Sequence, residues 1–241
     1  YTEEDTVEDY PVSVFLSNEG YLKKITPQSL RMSSEQKFKD GDALKMSFEA
    51  TNRTELLVFT DRQQVYKTRL SDFDDTKASA LGAYLPTKLS MDDGERVLEI
   101  ICPGDYRKNL LLFFENGKVA RLDLESYETK TNRKKLINAY SDKSPLAAVY
   151  MISEEIDMAV FASDGRALVF NTTLLQVKTS RSTQGVGVMS LKKNSRVTSA
   201  APLADTVIKN ISRYRVRSLP AAGALLKEDD RGETQLSLMD D

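Results

Sequence analysis

One hairpin pattern recurs four times along this chain and limits what it can fold into. The copies are VFLSNEGYLKKI from Val14, VFTDRQQVYKT from Val58, LFFENGKVARL from Leu112 and VFASDGRALVF from Val160. In each, an apolar run meets a short polar turn and a second apolar run follows, the mark of an antiparallel strand pair. Aligned on the turn, Gly20, Gln63, Gly117 and Gly165 coincide, at spacings of 43, 54 and 48 residues. Four residues upstream the position is always apolar: Leu16, Phe59, Phe113 and Phe161. Glycine supplies the positive φ such a turn needs, so Gln63 predicts strain or a different turn. Four residues past the turn stand Lys24, Lys67, Arg121 and Val169.

Each hairpin leads into a polar connector and further strands. LGAYLPTKLSMDDGERVLEII and TQGVGVMSLKKNSRVTSA both read as a Gly-containing turn, a strand, a charged turn and another strand. Helical periodicity is weak; LESYETKTNRKKLINAYS holds at most one turn. A period of about 50 residues with about four strands per unit describes a propeller blade. A two-layer sandwich explains the strands but not the recurring hairpin. The expectation is all-β, propeller-like, with at least four four-stranded blades. SRYRVRSLPAAGALL is expected to supply a closing or outer strand.

Several chemistries are excluded by composition. The 241 residues contain no His and one Cys. Histidine-dependent triads, His metal sites and thiolate zinc clusters are therefore absent. No Walker loop or G-x-G-x-x-G occurs. Cys102 ends a strand-like run and reads as a small buried hydrophobe, fitting a reducing compartment. Asp74-Asp75, Asp92-Asp93 and Asp229-Asp230 lie in turn or tail contexts and read as solvated surface. No apolar run reaches about 18 residues, so no membrane span is expected. The chain starts with Tyr1 rather than Met and reads as part of a longer protein.

A formal net charge of −2 conceals an uneven distribution. Residues 1–10 carry five acids and no base; 227–241 carry six acids against Lys227 and Arg231. That leaves 11–226 at +7, and 178–217 holds nine Lys or Arg with Asp205 as the lone acid. An acidic lead-in (1–10), a basic β body (11–226) and an acidic, disordered tail (227–241) are expected, with a polyanionic partner for the body.

LSNEGYLKK, FFENGKVAR and FASDGRALV, together with RSTQGVGVMSLKKNSRV and the drifted copy KASALGAYLPTKL, resemble the C-terminal domain of the A subunit of bacterial type IIA topoisomerases, DNA gyrase and topoisomerase IV. The resemblance covers residues 11 to about 205. It implies a β-pinwheel, open or closed, that bends duplex DNA around a basic rim. It further implies a cytoplasmic, nucleoid-associated protein. Its partners would be DNA, the rest of the A subunit, and the ATP-binding B subunit in an A2B2 assembly. The catalytic tyrosine would lie in the preceding domain, and no cofactor is expected here. Gyrases carry a basic Gly-rich box after the first hairpin. The corresponding LRMSSEQKFKDGDALK has Gln36, Lys37, Lys39 and Gly41 but no tandem glycines or box arginines. The resemblance is thus closer to topoisomerase IV. A gyrase with a degenerate box and, from another class, a protein-binding propeller scaffold are the alternatives.

Bending a duplex needs many phosphate contacts and few base contacts. Lys24, Lys67 and Arg121 are expected to supply one contact per repeat, with Lys118 and Arg166 adding to them. Lys178, Arg181, Lys192, Lys193 and Arg196 form a dense cluster, interleaved with Thr179, Ser180, Ser182 and Thr183. Lys130, Arg133, Lys134 and Lys135 form a second. Arg213, Arg215 and Arg217 alternate as on one strand face, with Tyr214, Val216 and Leu219 packing inward. The plain alternative for all of them is an ordinary solvated surface.

Overall fold

The computed structural model describes residues 6–129 and 133–232. In chain order the strands are β1 (Pro11–Ser17), β2 (Tyr21–Ile25), β3 (Leu44–Thr51), β4 (Glu55–Thr60), β5 (Val65–Arg69), β6 (Asp75–Thr76), β7 (Ala83–Tyr84) and β8 (Val97–Ile101). Then come β9 (Asn109–Phe114), β10 (Lys118–Asp123), β11 (Lys135–Leu136), β12 (Leu146–Ile152), β13 (Asp157–Ala162), β14 (Arg166–Asn171), β15 (Val177–Lys178), β16 (Val186–Gly187), β17 (Val197–Pro202) and β18 (Ala224–Leu225). The helices are single short turns: α1 (Pro27–Met32), α2 (Leu85–Lys88) and α3 (Ile211–Tyr214).

The strands form four sheets, one around each recurring hairpin. Blade one is β3-β1-β2 with β6 and β7; blade two is β8-β4-β5-β11. Blade three is β12-β9-β10 with β15 and β16; blade four is β17-β13-β14-β18. Hairpin registers are the same in all four: Leu16 faces Leu22, Phe59 faces Val65, Phe113 faces Val119 and Phe161 faces Ala167. A bulge also recurs where each hairpin meets its first edge strand, β3, β8, β12 or β17. Such bulges locally bend and twist the pair. Gln63 adopts φ 53°, matching the positive φ of the three glycines. The side chain therefore carries a conformational cost that glycine avoids.

One rule orders the connections. An edge strand is followed by the hairpin of the next blade, and only then does the chain return to complete the preceding sheet. Thus β3 leads to β4 and β5, and β6 and β7 then pair with β2; β12 leads to β13 and β14, and β15 and β16 then pair with β10. These returning strands are only two residues long.

The chain divides into two compact units, residues 1–104 with 129–137, and 105–128 with 138–241. In the first, Val12, Val14, Leu16 and Leu22 of blade one pack with Leu56, Val58, Tyr66 and Leu70 of blade two. In the second, Leu111, Phe113 and Val119 of blade three pack with Val160, Leu168 and Phe170 of blade four. Full burial of such side chains contributes about 1.5–3 kcal/mol each. No helix among the described residues is long and apolar enough to cross a membrane.

The structure corrects two sequence expectations. Residues 213–217 are not a strand: Arg213 and Tyr214 lie in α3, and Arg215 makes only an isolated bridge to Val169. Tyr214 is buried and Val216 and Leu219 pack against the core, as expected. Residues 228–230 form a 3-10 turn in which Asp230 is 2% exposed, so this end of the supposed tail is folded. Residues 1–5 and 233–241 of the acidic ends lie outside the described residues.

The returning strands depend on one glycine position. A Cβ on Gly185 would stand 2.2 Å from the Val119 carbonyl oxygen, at φ +75°. Gly82 and Gly223 make the same approach to Leu22 and Ala167, with 2.4 Å in each case. Gly185→Ala therefore meets both backbone strain and a clash with main chain, and is expected to destabilise the second unit by about 2–4 kcal/mol. Urea denaturation of the full chain measures it.

Candidate nucleic-acid interface

The basic residues fall into buried, pinned and exposed groups, and the buried group overturns an expectation. Lys24 is 3% exposed. Its Nζ donates to Asn52 Oδ1 at 2.6 Å and to the Leu70 carbonyl at 3.1 Å, and pairs with Asp75 at 3.1 Å. Tyr10 donates to the same Asp75, and burial with that carboxylate pushes its phenol up to about 12. Arg121 is 9% exposed. It donates to Asn109 Oδ1 at 2.7 Å, to the Thr172 carbonyl at 2.8 Å and to both Glu155 oxygens at 2.8 and 2.9 Å. In each case the acceptors include the following blade: Asn52 and Leu70 flank the hairpin of blade two, Glu155 and Thr172 that of blade four. Leu70 and Thr172 even occupy the same repeat position, seven residues past their turns. Lys24 and Arg121 are therefore latches between successive blades, not phosphate contacts. A buried cation whose nitrogens are all engaged in this way cannot turn outward without leaving acceptors unsatisfied. Lys67, at the equivalent position in blade two, is half-buried and donates to Thr129 Oγ1 at 3.2 Å.

Other expected contacts are pinned but partly accessible. Arg181 donates to the Ser126 carbonyl at 3.0 Å and lies 5.8 Å from the Tyr127 ring centre. Arg215 grips Asp157 at 3.0 and 3.1 Å, and this pairing holds the Asp157 carboxyl below its ordinary range. Arg166 sits 3.5 Å from Asp164, and Arg213 donates to the Leu225 carbonyl. Lys118 opens β10, half-buried, opposite Gly187.

Arg133, Lys134, Lys178, Lys192, Lys193, Arg196 and Arg217 are exposed, and Lys135 is half-buried over Tyr66. Lys130 lies outside the described residues. The expected cluster at 178–196 divides between two places. Lys178 and Arg181 lie in or beside the returning strand of blade three. Lys192, Lys193 and Arg196 form the turn into β17, tied by Ser163 and by an Arg196–Glu115 pair at 3.6 Å.

Every blade has at least one exposed cation in or beside its returning strand. Lys77 follows β6, and Lys88 lies in α2 just after β7, both exposed. Arg133 and Lys134 precede β11, Lys178 is in β15, and Arg217 precedes β18. Among the opposite edge strands, β12 and β17 have no ionisable residue except Tyr150 and β8 has Glu99 alone, whereas β3 carries Lys45 and Glu49, and Arg96, Lys192, Lys193 and Arg196 stand in the turns that lead into β8 and β17. Lys77 and Lys88 were not in the sequence-based set, although KASALGAYLPTK contains both. Lys37 and Lys39, in the segment after the first hairpin, are both exposed, with Lys39 Nζ 5.3 Å from the Tyr21 ring centre. Tyr21 in turn packs on Tyr84 at 4.8 Å.

Asp74, Asp75, Asp92, Asp93 and Asp229 are exposed, as expected, although Asp75 and Asp92 also hold partners. Asp75 serves Lys24, and Asp92 accepts from Gln64 at 3.0 Å. Asp230, buried rather than solvated, serves backbone amides. Glu95, beside Asp92 and 4% exposed, accepts from Thr60, Gln64, Tyr66 and the Asp92 amide without any cation. Burial alone would raise its carboxyl pKa; the converging donors outweigh burial and lower it. Cys102 is partly buried in the first unit's core, and burial pushes its thiol up to about 11, away from reactivity.

Two stability predictions follow from these partners. Arg121→Met leaves Glu155 with the Thr172 hydroxyl but no cation, and removes the donor to the Thr172 carbonyl; because the Glu155 side chain is 43% exposed, the loss is reduced to about 2–3 kcal/mol, read as a lower melting temperature. Glu95 has a depressed folded pKa, so its contribution is present above the ordinary carboxylate value and is lost as pH falls below it. Glu95→Gln should thus be less stable at pH 7, with the gap to the parent closing below about pH 4 in denaturation series.

Comparison with known proteins agrees with this architecture. Residues 54–82 and 157–204, which contain the hairpins of blades two and four, match the family model of the DNA gyrase C-terminal domain, beta-propeller. The A subunit of DNA gyrase from Metamycoplasma arthritidis is 24% identical over 95% of this chain and 28% of its own length. The A subunit of DNA topoisomerase 4 from Staphylococcus epidermidis is 23% identical over 95% of this chain and 29% of its own. The chain thus spans under a third of the length of these relatives. Among solved structures, the C-terminal domain of DNA topoisomerase IV superposes with a TM-score of 0.77 at 20% identity, over 91% of this chain and 73% of that one. The DNA gyrase A C-terminal domain gives 0.64 at 16% identity, over 92% and 80%. Recurring hairpins, exchanged strands and these matches relate the chain to the C-terminal domains of the A subunits of DNA gyrase and topoisomerase IV, with their β-pinwheel fold.

Proposed function

We propose that this chain binds duplex DNA through its phosphates and bends it, presenting a segment to the cleavage and religation core of a type II topoisomerase. The observation that carries the reading is the recurrence of exposed cations in or beside the returning strand of every blade. Lys77 and Lys88 serve blade one, Arg133 and Lys134 blade two, Lys178 blade three and Arg217 blade four, while the edge strands β12 and β17 carry no Lys or Arg. Backbone contacts repeated from blade to blade hold a duplex without reading its bases, so DNA deformability rather than base identity governs preference. The proposed contacts are Lys37, Lys39, Lys77, Lys88, Lys118, Arg133, Lys134, Lys135, Lys178 and Arg217, with Lys192, Lys193 and Arg196 at the turn into β17 as a separate second patch. Lys24 and Arg121 are excluded from that set by their burial.

The reading extends to the A subunit of a topoisomerase IV-like enzyme, acting with an ATP-binding B subunit on cytoplasmic DNA. It is supported by the segment at 30–45, which lacks the tandem glycines and arginines of a gyrase box. The catalytic tyrosine belongs, on this reading, to another part of the same polypeptide.

Affinity for a linear duplex should fall steeply with salt, with a slope of about −0.9 per phosphate neutralised. The double reversal Lys134→Glu with Lys178→Glu should flatten that slope by about two units and reduce bending measured by end-to-end energy transfer. An unchanged slope and bend would reject the assignment.

A further inference from the structure

The order of connections makes a specific demand at blade four. After each of β3, β8 and β12 the chain builds the next hairpin before returning to complete the preceding sheet. After β17 it also returns, because β18 pairs with β14. Between β17 and β18, where the rule places a fifth hairpin, residues 203–214 instead form a 3-10 turn, a loop and the single turn α3. Each of the four hairpins occupies 15 residues, as in Asp157–Asn171 from β13 to β14. The stretch from Leu203 to Tyr214 is shorter and pairs with no sheet.

The packing agrees with this position in the chain. In blade three, Val119 and Arg121 lie on the β10 face turned to blade four, where Val119 joins the shared core and Arg121 latches Glu155. The matching residues of blade four are Ala167 and Val169. They face a separate cluster containing Ile208, Tyr214 and Leu226, with Ile211, Leu203 and Ala224 around it. The latch position is apolar here because what covers it is apolar.

We propose that residues 203–214, closed by 226–231, are a cap that occupies blade four where a fifth blade would pack. Asp230 fastens its two pieces. Its Oδ1 accepts from the amides of Lys209 and Asn210 at 2.7 and 3.1 Å, and its Oδ2 accepts from the Tyr214 hydroxyl at 2.7 Å. Tyr214 Oη in turn accepts from the Lys227 amide at 2.9 Å. Arg213 and Arg231 bond the Leu225 and Leu226 carbonyls. One carboxylate, with no cation within its hydrogen bonds, thus holds together the element that ends the repeat. Terminal caps of this kind give a modular array an end that does not recruit another unit.

The inference does not depend on DNA binding, and the two fail separately. The test is hydrogen exchange by segment on the full chain carrying Asp230→Asn, with Leu226→Glu as a second variant that attacks the apolar contact instead. A cap opens by itself. Exchange in 206–231 is expected to accelerate at least tenfold in both variants, while the hairpins at 109–123 and 157–171 keep their protection. Acceleration of 157–171 to the same extent, or no acceleration of 206–231 in either variant, would overturn the proposal.

Discussion

The fold depends on the pairing between the second strand of each hairpin and a strand that arrives from beyond the next hairpin. A lone hairpin with one edge strand leaves a row of unpaired amides and carbonyls, and these returning segments satisfy them. Each segment is too short to be stable alone. It is held because a glycine lets its backbone close onto the hairpin carbonyl two residues past the turn, at Gly82, Gly185 and Gly223. Blade two reaches the same end differently. Leu136 pairs with Val65 in the matching register, so Lys135 stands where the others have glycine, laid over the Tyr66 ring.

This exchange separates two uses of positive charge. In blades one and three, the cation four residues past the turn points into the junction with the next blade and is consumed there as a latch. Cations on the returning strands lie at an edge with no further strand outside them, and they stay in water. The same residue types thus do structural work at one repeat position and remain available for a polyanion at another. A net charge of −2 reveals neither use.

The hairpins were legible because their signal is local: alternating apolar residues around a turn position whose positive φ glycine favours. Even Gln63 showed its strain in advance. What the sequence hid was non-local. Lys24 and Arg121 read as exposed strand ends because their acceptors, Asn52 and Glu155, are 28 and 34 residues away. Arg213, Arg215 and Arg217 alternate like a strand, yet the amides of Lys209 and Asn210 bond to Asp230 and the chain turns into α3 instead. Asp230 sits in an acidic run, and nothing local distinguishes it from Asp229, which is exposed. The two-residue returning strands are too short for periodicity to register, so Lys77 and Lys88 were passed over.

The central claim is that a duplex lies against the returning edges of the blades. Lysine acetylation footprinting of the full chain, with and without a linear duplex, tests it most directly. Lys77, Lys134 and Lys178 should lose reactivity when DNA binds, Lys45 on β3 should keep it, and Lys23 and Lys24 should be unreactive throughout. Protection of Lys45 with Lys77, Lys134 and Lys178 still reactive would contradict the account.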